Sequence, residues 1–527
     1  MRAAITALMV LAICAAANGQ AIYHGTPDWI SGDTQVSTGG ALVDLDRDGW
    51  LDFVVSNGND MAQQHVAVYY NRGDGTFPSL PDWQSADFGY NGHLAVADVN
   101  GDGWPDVAVA TLGSGGTAIG PIARLYLNNN GTLSSTPNWV SPVNGNALGV
   151  AFGDMNGDGR PDLAVATGWA YDPQAFYRNY VYLNVGGTLE QTASWVSSDT
   201  YHFQGFVWVS AYNNGLLDLA GAASRSRNRM YRNLGVILET TGSWTAADVT
   251  TPDSVMVTAG DVTGDGRRDL FIADNNQLTG GSGRFRQYNG LAGGGFSTTA
   301  NWTYSDGYCS AVALADLNAD GKLDLATGAW WDYTRVFFNT GTGFGSSSSW
   351  NSTGTSVVEK IAFGDIDKNG LRPISETFPA SASKLYYLSH QPIQEITSVE
   401  RDGVALTPAQ FACSREHGWI SVGTAPATAL VVSYTYSSKL DMAVTNWDST
   451  IGNYVYYNQL VVKGDANCDG RTDMEDVPLF VMLLVDRPAY DAIYPDCNAD
   501  LFCDMNSDGV LNGKDVQGFV QRLISGT

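Results

Sequence analysis

The sequence predicts a mainly β protein assembled from repeated four-stranded units, and three observations predict it. A tryptophan recurs at Trp29, Trp83, Trp139, Trp195, Trp244, Trp302 and Trp350, a repeat of about fifty residues. An Asp- and Gly-rich loop follows each of them by about fifteen residues, always in one register. Composition agrees: the 527 residues include 60 Gly, 25 Tyr and 15 Trp but only 16% charged side chains, which suits short strands joined by tight turns. The net charge of −26 argues against binding nucleic acid or an anionic membrane, since phosphate would be repelled.

The amino terminus comes first. Met1 and Arg2 precede an apolar run from Ala3 to Ala17 and then small residues up to Ala21, the pattern of a secretory signal peptide over 1–21. The run is too short to span a membrane and no later stretch is long enough, so the expectation is an exported protein without a membrane span. Beyond Cys14 the chain has Cys309, Cys413, Cys468, Cys497 and Cys503. An odd count leaves at least one thiol outside an internal pair, and in an oxidising compartment one disulfide among the last three is expected. A zinc site is disfavoured, because no CxxC pair occurs.

The repeated loops follow in order. Loop 1 carries Asp44, Asp46, Asp48, Gly49 and Asp52; loop 2, Asp98, Asn100, Asp102, Gly103 and Asp106; loop 3, Asp154, Asn156, Asp158, Gly159 and Asp162. Loop 5 has Asp261, Thr263, Asp265, Gly266 and Asp269, and loop 6 has Asp316, Asn318, Asp320, Gly321 and Asp324. Loop 4 keeps the register with Ser210, Tyr212, Asn214, Gly215 and Asp218 but has lost most oxygen donors, and is expected to be empty. Loop 7 begins with Asp365, Asp367, Asn369 and Gly370, then breaks off; Lys439-Leu440-Asp441 resumes the pattern of Lys322-Leu323-Asp324. Residues 372–438 are therefore read as a strand-rich insertion, a small β-sandwich-like module with no assigned activity.

After each loop comes an apolar strand, then one ending Tyr-Tyr-Asn71, Tyr-Leu-Asn128, Tyr-Leu-Asn184 or Phe-Phe-Asn339. A Gly-rich turn then leads to the next Trp strand. Four strands per unit is the size of a β-propeller blade. The strand around Trp29 is an orphan at one end and the unit ending at Asn458 lacks its Trp strand at the other. The N-terminal strand is expected to complete the last unit, giving a seven-bladed β-propeller over 22–371 and 439–459.

Alternating Asp or Asn, a Gly for the sharp turn and a later carboxylate make an oxygen cage for a hard cation, and calcium takes six to eight such oxygens. An ordinary Asx-Gly turn needs one or two of these residues, so five full copies exceed what turn chemistry requires. Calcium is expected in about five or six of the propeller loops, with Asp441 completing loop 7. The blades resemble the FG-GAP/VCBS repeats of integrin-α-type propellers. That resemblance implies structural calcium and a protein or glycan ligand.

Residues 464–527 carry two longer loops: Asp465, Asn467, Asp469, Asp473 and Asp476, then Asp504, Asn506, Asp508, Asn512 and Asp515. Each precedes an apolar helical run, Val477–Val485 and Val516–Ile524, as in an EF-hand loop that ends in Asp and binds one calcium. The duplication resembles a type I dockerin, which implies a cohesin-type partner, often within polysaccharide-degrading assemblies. Cys468 inside the first loop, with Cys497 and Cys503 in the linker, departs from that pattern.

Weaker signals complete the reading. Trp169, Trp330, Trp331 and Trp447, with Tyr171 and Tyr333, fall in equivalent inter-strand loops, where aromatics can stack on sugar rings or pack between blades. Arg72-Gly73-Asp74 coincides with a hairpin turn and is explained by it. No Gly-x-Ser-x-Gly or His-Glu-x-x-His occurs, and His numbers six. The first expectation is a secreted calcium-binding protein that binds a glycan or protein. The alternatives are a polysaccharide lyase or hydrolase on the same scaffold, favoured by an acid pair outside the metal loops, and a structural cell-surface protein.

Overall fold

The computed structural model describes residues 21–113, 120–168, 177–249, 252–341, 343–468, 472–494, 497, 499–506 and 509–525. The signal-peptide stretch 1–20 lies outside them, as do Trp169, Tyr171, Asp469 and Asp508.

Each repeat becomes an antiparallel four-stranded sheet in chain order. The first is Ser37–Val43, Asp52–Gly58, Gln63–Tyr69 and Trp83–Gln84; the next four begin at Asn91, Ala147, His202 and Ser254. The acidic loop joins strands one and two of each unit. Second strands such as Asp162–Thr167 are buried at every residue, which is why they read as unbroken apolar runs rather than alternating ones. Each first strand contains a register shift, at Ser37/Gly39 or Ala147/Gly149 for example, and bulges of this kind sharpen local twist. Small residues follow from crowding here: a Cβ on Gly149 would lie 2.6 Å from the Gln204 carbonyl of the neighbouring first strand.

Units six and seven share one strand. Trp350–Gly364 pairs by its first half with Asp324–Phe337 (Trp350 opposite Val336) and by its second half with Asp441–Asn446 (Phe363 opposite Met442). The result is a six-stranded sheet that also includes Tyr454–Tyr456 and, at its edge, Trp29–Ile30. Trp29 pairs with Val455, as the orphan-strand argument expected. First strands of successive units pack side by side, and Ser37–Val43 packs on Trp350–Gly364 and Asp441–Asn446, so the series returns to its start. This is a mainly β, propeller-like architecture.

Two latches tie neighbouring units. The indole of Trp139 donates to the Glu190 carbonyl of the next unit, and Trp195, Trp244, Trp302 and Trp350 repeat the bond to Glu239, Phe296, Gly345 and Tyr23. In the other direction the strand-ending Asn reaches the second backbone carbonyl of the preceding loop. Asn128 bonds Leu45, Asn184 bonds Val99, Asn233 bonds Met155, Asn339 bonds Val262, Asn458 bonds Leu317, and Asn71 bonds Ile366 of loop 7. Unit five has Gly290 at that position, and the backbone of Gly295 serves loop 4 instead.

Residues between Gly370 and Ser438 form two further sheets. Leu371–Pro379, Ala429–Ser437, Glu395–Arg401 and Val404–Ala405 make one; Leu385–Tyr387, Trp419–Val422 and Phe411–Ser414 make the other. Val399, Ile420, Val422, Leu430, Val432 and Tyr434 form a core between them. At the carboxyl end α1 (Asp476–Val485), α2 (Arg487–Ile493), α3 (Ala499–Cys503) and α4 (Val516–Ser525) pack around Phe480 and Phe519, whose rings stack at 3.9 Å. Cys468 and Cys497 form the disulfide expected among the last three cysteines, while Cys309, Cys413 and Cys503 are free thiols. No described helix is long and apolar enough to cross a membrane.

Candidate functional site

The acidic loops share one geometry. The first Asp of each accepts the backbone N–H of the loop glycine: Gly49 to Asp44 at 2.9 Å, Gly103 to Asp98 at 2.7 Å, Gly159 to Asp154, Gly266 to Asp261 and Gly321 to Asp316 at 2.8 Å each. These glycines have φ between 80° and 91°, in the left-handed region. The fourth loop residue is left-handed as well, including Arg47, Ala319 and Lys368, which the sequence did not single out.

The last Asp of each loop works as a pin. One oxygen of Asp52 accepts from the Leu45 N–H at 2.9 Å and the other from the Asn71 N–H at 3.0 Å. Asp106, Asp162, Asp269, Asp324 and Asp441 repeat the pair of bonds, so Asp441 does arrive in loop 7 from beyond the insertion. Asp218 makes the same two bonds in loop 4, where most other donors are gone.

Among the described residues, three carboxylates draw within 4.8 Å of one another at Asp44, Asp46 and Asp48 and at Asp365, Asp367 and Asp441. Asp44 Oδ1 and Asp365 Oδ1 are buried without a hydrogen-bond partner, as is Thr263 Oγ1 in loop 5. Burial and neighbouring carboxylates push Asp44 up to about 6, Asp52 and Asp106 to about 7 and Asp324 to about 8. Burial first, then Asp367, raises Asp365 to about 7. Concentrated acid with orphaned oxygens and a fixed turn suits a hard, oxygen-seeking cation. In loops 3, 5 and 6 the fifth-position carboxylates of Asp158, Asp265 and Asp320 bond Arg160, Arg267 and Lys322 instead. Asn100, Asn156 and Asn318 sit at the third position, where each side-chain oxygen accepts from the fifth residue's N–H.

In the carboxyl-terminal unit the twelfth-position Asp closes each loop. Asp476 accepts from Ala466, Asn467 and Asp473, and Asp515 accepts from Asn506 and Asn512. Gly509 donates to Asp504 at 2.8 Å, the same bond as in the propeller loops. Asp465 is buried beside this network.

The insertion sits against the ring, which sequence reasoning missed. Ser421 Oγ donates to Asp154 of loop 3 at 2.7 Å, Ser437 Oγ to Asp365 of loop 7 at 2.8 Å, and Lys384 Nζ to the Gly157 carbonyl at 2.7 Å. Its segment Phe411–His417 closes a cavity of about 250 Å³ walled by the first strands of the ring. Lys360 bonds Glu416 at 2.6 Å there, and although burial opposes it, Lys360 and His417 hold the Glu416 carboxyl down at about 2. Glu416 is half-exposed and lines this cavity.

A second, smaller cavity of about 40 Å³ lies toward the other ends of these strands, lined by Trp330, Trp447, Glu359, Asp60, Asp253, Gln204 and Asn275 among others. Trp330 and Trp447 meet edge to face at 4.9 Å, and the Trp330 indole donates to Glu359 at 2.8 Å. Trp331 is 59% exposed beside them, its ring 6.0 Å from that of Trp330. Trp330 and Trp331 lie within the extended strand Asp324–Phe337 rather than in an inter-strand loop, a correction to the expectation: pairing with the shared strand continues past the usual end. Trp169 lies outside the described residues.

Residues 44–109, 109–165 and 261–327 match the FG-GAP-like repeat family. The similarity to FG-GAP-like repeats lies in these three stretches. The matched stretches contain loops 1, 2, 3, 5 and 6, those with the full donor pattern. Integrin alpha-7 of Homo sapiens is 36% identical over 100 residues, which is 17% of this chain and 8% of that protein. The chain thus spans a small part of the length of this relative. The crystal structure of Sqt1 from Saccharomyces cerevisiae aligns over 82% of this chain and 97% of its own, with TM-score 0.41 and 8% identity. The chain is thus β-rich, with stretches similar to FG-GAP-like repeats and, over 100 residues, to integrin alpha-7.

Proposed function

We propose that this chain is an exported, seven-bladed FG-GAP propeller that is stabilised by calcium in its blade loops and binds a glycan at the mouth formed by Trp330, Trp331 and Trp447. One observation carries the reading: aromatic rings and unpartnered amides meet in one cavity. Gln204 Nε2 and Asn275 Nδ2 are buried there with no hydrogen-bond partner, at 4% and 2% exposure. Buried donors without acceptors are costly, and a sugar hydroxyl beside an aromatic wall supplies what they lack. Native electrophoresis through gels cast with different polysaccharides tests this; retardation in at least one is expected, and free migration in all would overturn it.

Calcium would be held by the first, third, fifth and last residues of loops 1, 2, 3, 5 and 6, and by Asp365, Asp367, Asn369 and Asp441 in loop 7. Bound calcium neutralises carboxylates that otherwise repel. We divide the chain into the propeller (22–371 and 439–459), the inserted module (372–438) and a dockerin-like unit (464–527) with two further calcium loops. Exposed Val516, Val520 and Ile524, each four residues apart on α4, make an apolar stripe suited to a cohesin-type protein partner. Co-elution with a cohesin module that chelator abolishes would support this role.

A second reading is favoured by the same cavity. Glu359, Asp253 and Asp60 are carboxylates outside the metal loops and line one pocket, the arrangement that a polysaccharide hydrolase or lyase would need. A cleared zone in the gel, lost in E359Q, would select it.

A further inference from the structure

The charge on the wall of this mouth is of one sign. Asp60, Asp253 and Glu359 line it, and among the described residues no Lys, Arg or His does. Glu359 is 1% exposed; one oxygen accepts from the Trp330 indole, and the other lies 3.6 Å from Nε2 of His93, which lines the larger cavity instead. Burial raises the Asp253 carboxyl, while Ser224 Oγ, which donates to it at 2.6 Å, and Arg225, which does not line the pocket, favour its charged form. Asn275 Oδ1 accepts from the Gln277 N–H at 3.2 Å, which leaves its amide nitrogen as the unpartnered end.

Size narrows the occupant. About 40 Å³ holds roughly three waters, enough for one substituent of a sugar but not for its ring. The ring must rest outside; Trp331 does not line the cavity but is exposed 6.0 Å from Trp330, which does. A carboxylated sugar would meet three like charges. An N-acetyl group would bury a methyl among carboxylates and present no charge to them. An ammonium group is attracted both by carboxylates and by the faces of indoles.

We infer that the mouth takes a glycan bearing a free primary amine, a hexosamine, with the ammonium group seated among Trp330, Trp447, Glu359 and Asp253. This rests on the glycan reading of the mouth and names its ligand class. Because the whole chain is acidic, any polyamine is drawn to it loosely, so the decisive arm is a variant of the pocket.

The test is calorimetric titration of the full chain, in calcium and moderate salt, with β-1,4 hexasaccharides of glucosamine, N-acetylglucosamine and glucose. The glucosamine oligomer is expected to bind at least about tenfold more tightly than the other two, the scale of one buried charge contact. E359Q, which can still accept from Trp330, and D253N are each expected to abolish that margin while their melting curves stay near the parent's. W447A is expected to weaken all binding. Equal or tighter binding of the acetylated or neutral oligomer, or a margin that survives both carboxamide variants, overturns the inference and leaves the glycan reading standing. Binding of none of the three, with retardation in another polysaccharide gel, does the same. Binding of none, with free migration in every gel, overturns both.

Discussion

Loop 1 and loop 4 occupy the same place in their units and differ in one respect. Both have a left-handed glycine, Gly49 at φ 89° and Gly215 at φ 75°, and both end in an Asp that pins two backbone N–H groups. Loop 1 adds three clustered carboxylates with an orphaned buried oxygen; loop 4 has Ser210, Tyr212 and Asn214. A blade therefore forms without the alternating acids, and what the fold demands is the glycine and the last Asp. The clustered acids of loop 1, and those of Asp365, Asp367 and Asp441 in loop 7, crowd charge beyond what the turn requires, and the proposed cation would offset that cost.

The strongest way to break this comparison is to remove the cation. Excess chelator is expected to lower the melting temperature by about ten degrees or more, because each site filled at a hundred times its Kd contributes about 2.7 kcal/mol. An unchanged melt would sink the calcium reading. Next, D52A and D218A each orphan two buried N–H groups and are expected to cost about 2–4 kcal/mol alike in chelator; with calcium, D218A is expected to cost the same and D52A more, since Asp52 is also a proposed ligand. In contrast, D48N is expected to reduce the calcium-dependent part of the melt and leave the chelated melt unchanged or raised; D48N behaving like D52A in chelator would mean that the two positions are not distinct.

A smaller effect separates the latches. N128A removes bonds to Leu45 and Pro105 and is expected to cost about 1–2 kcal/mol, measured by urea unfolding. The smallest is the pH effect. Asp44, Asp52, Asp106 and Asp324 have folded values raised above the unfolded carboxylate value, to between about 6 and about 8. Such groups bind more protons folded than unfolded, so stability falls as pH rises from about 4 to about 8. In chelator the protein is thus expected to melt higher at pH 5.5 than at pH 7.5. With calcium, protons compete with the ion and the order is expected to reverse.

Much of this was legible in the sequence because it repeats. The Trp period and loop register located the units, the orphan strand at Trp29 located the closure, and Lys439-Leu440-Asp441 located the return from the insertion. The double role of the last Asp was not legible, since a ligand template names donors and not what they already accept. The seat of the insertion was not legible either: Ser421 and Asp154 are 267 residues apart, and no local pattern couples them. The sequence pattern places Trp330 and Trp331 in a loop because the shared strand that extends their pairing has no counterpart in the other units.

The edge strand at Trp29 has a consequence in time. Its partner, Tyr454–Tyr456, is made more than four hundred residues later; Asp28 bonds the Tyr457 N–H across 429 positions. Contacts of such separation are slow to form and leave unpaired edges waiting. The strand at Trp29 is made long before its partner, and until that partner emerges two open sheet edges depend on whatever escorts the growing chain.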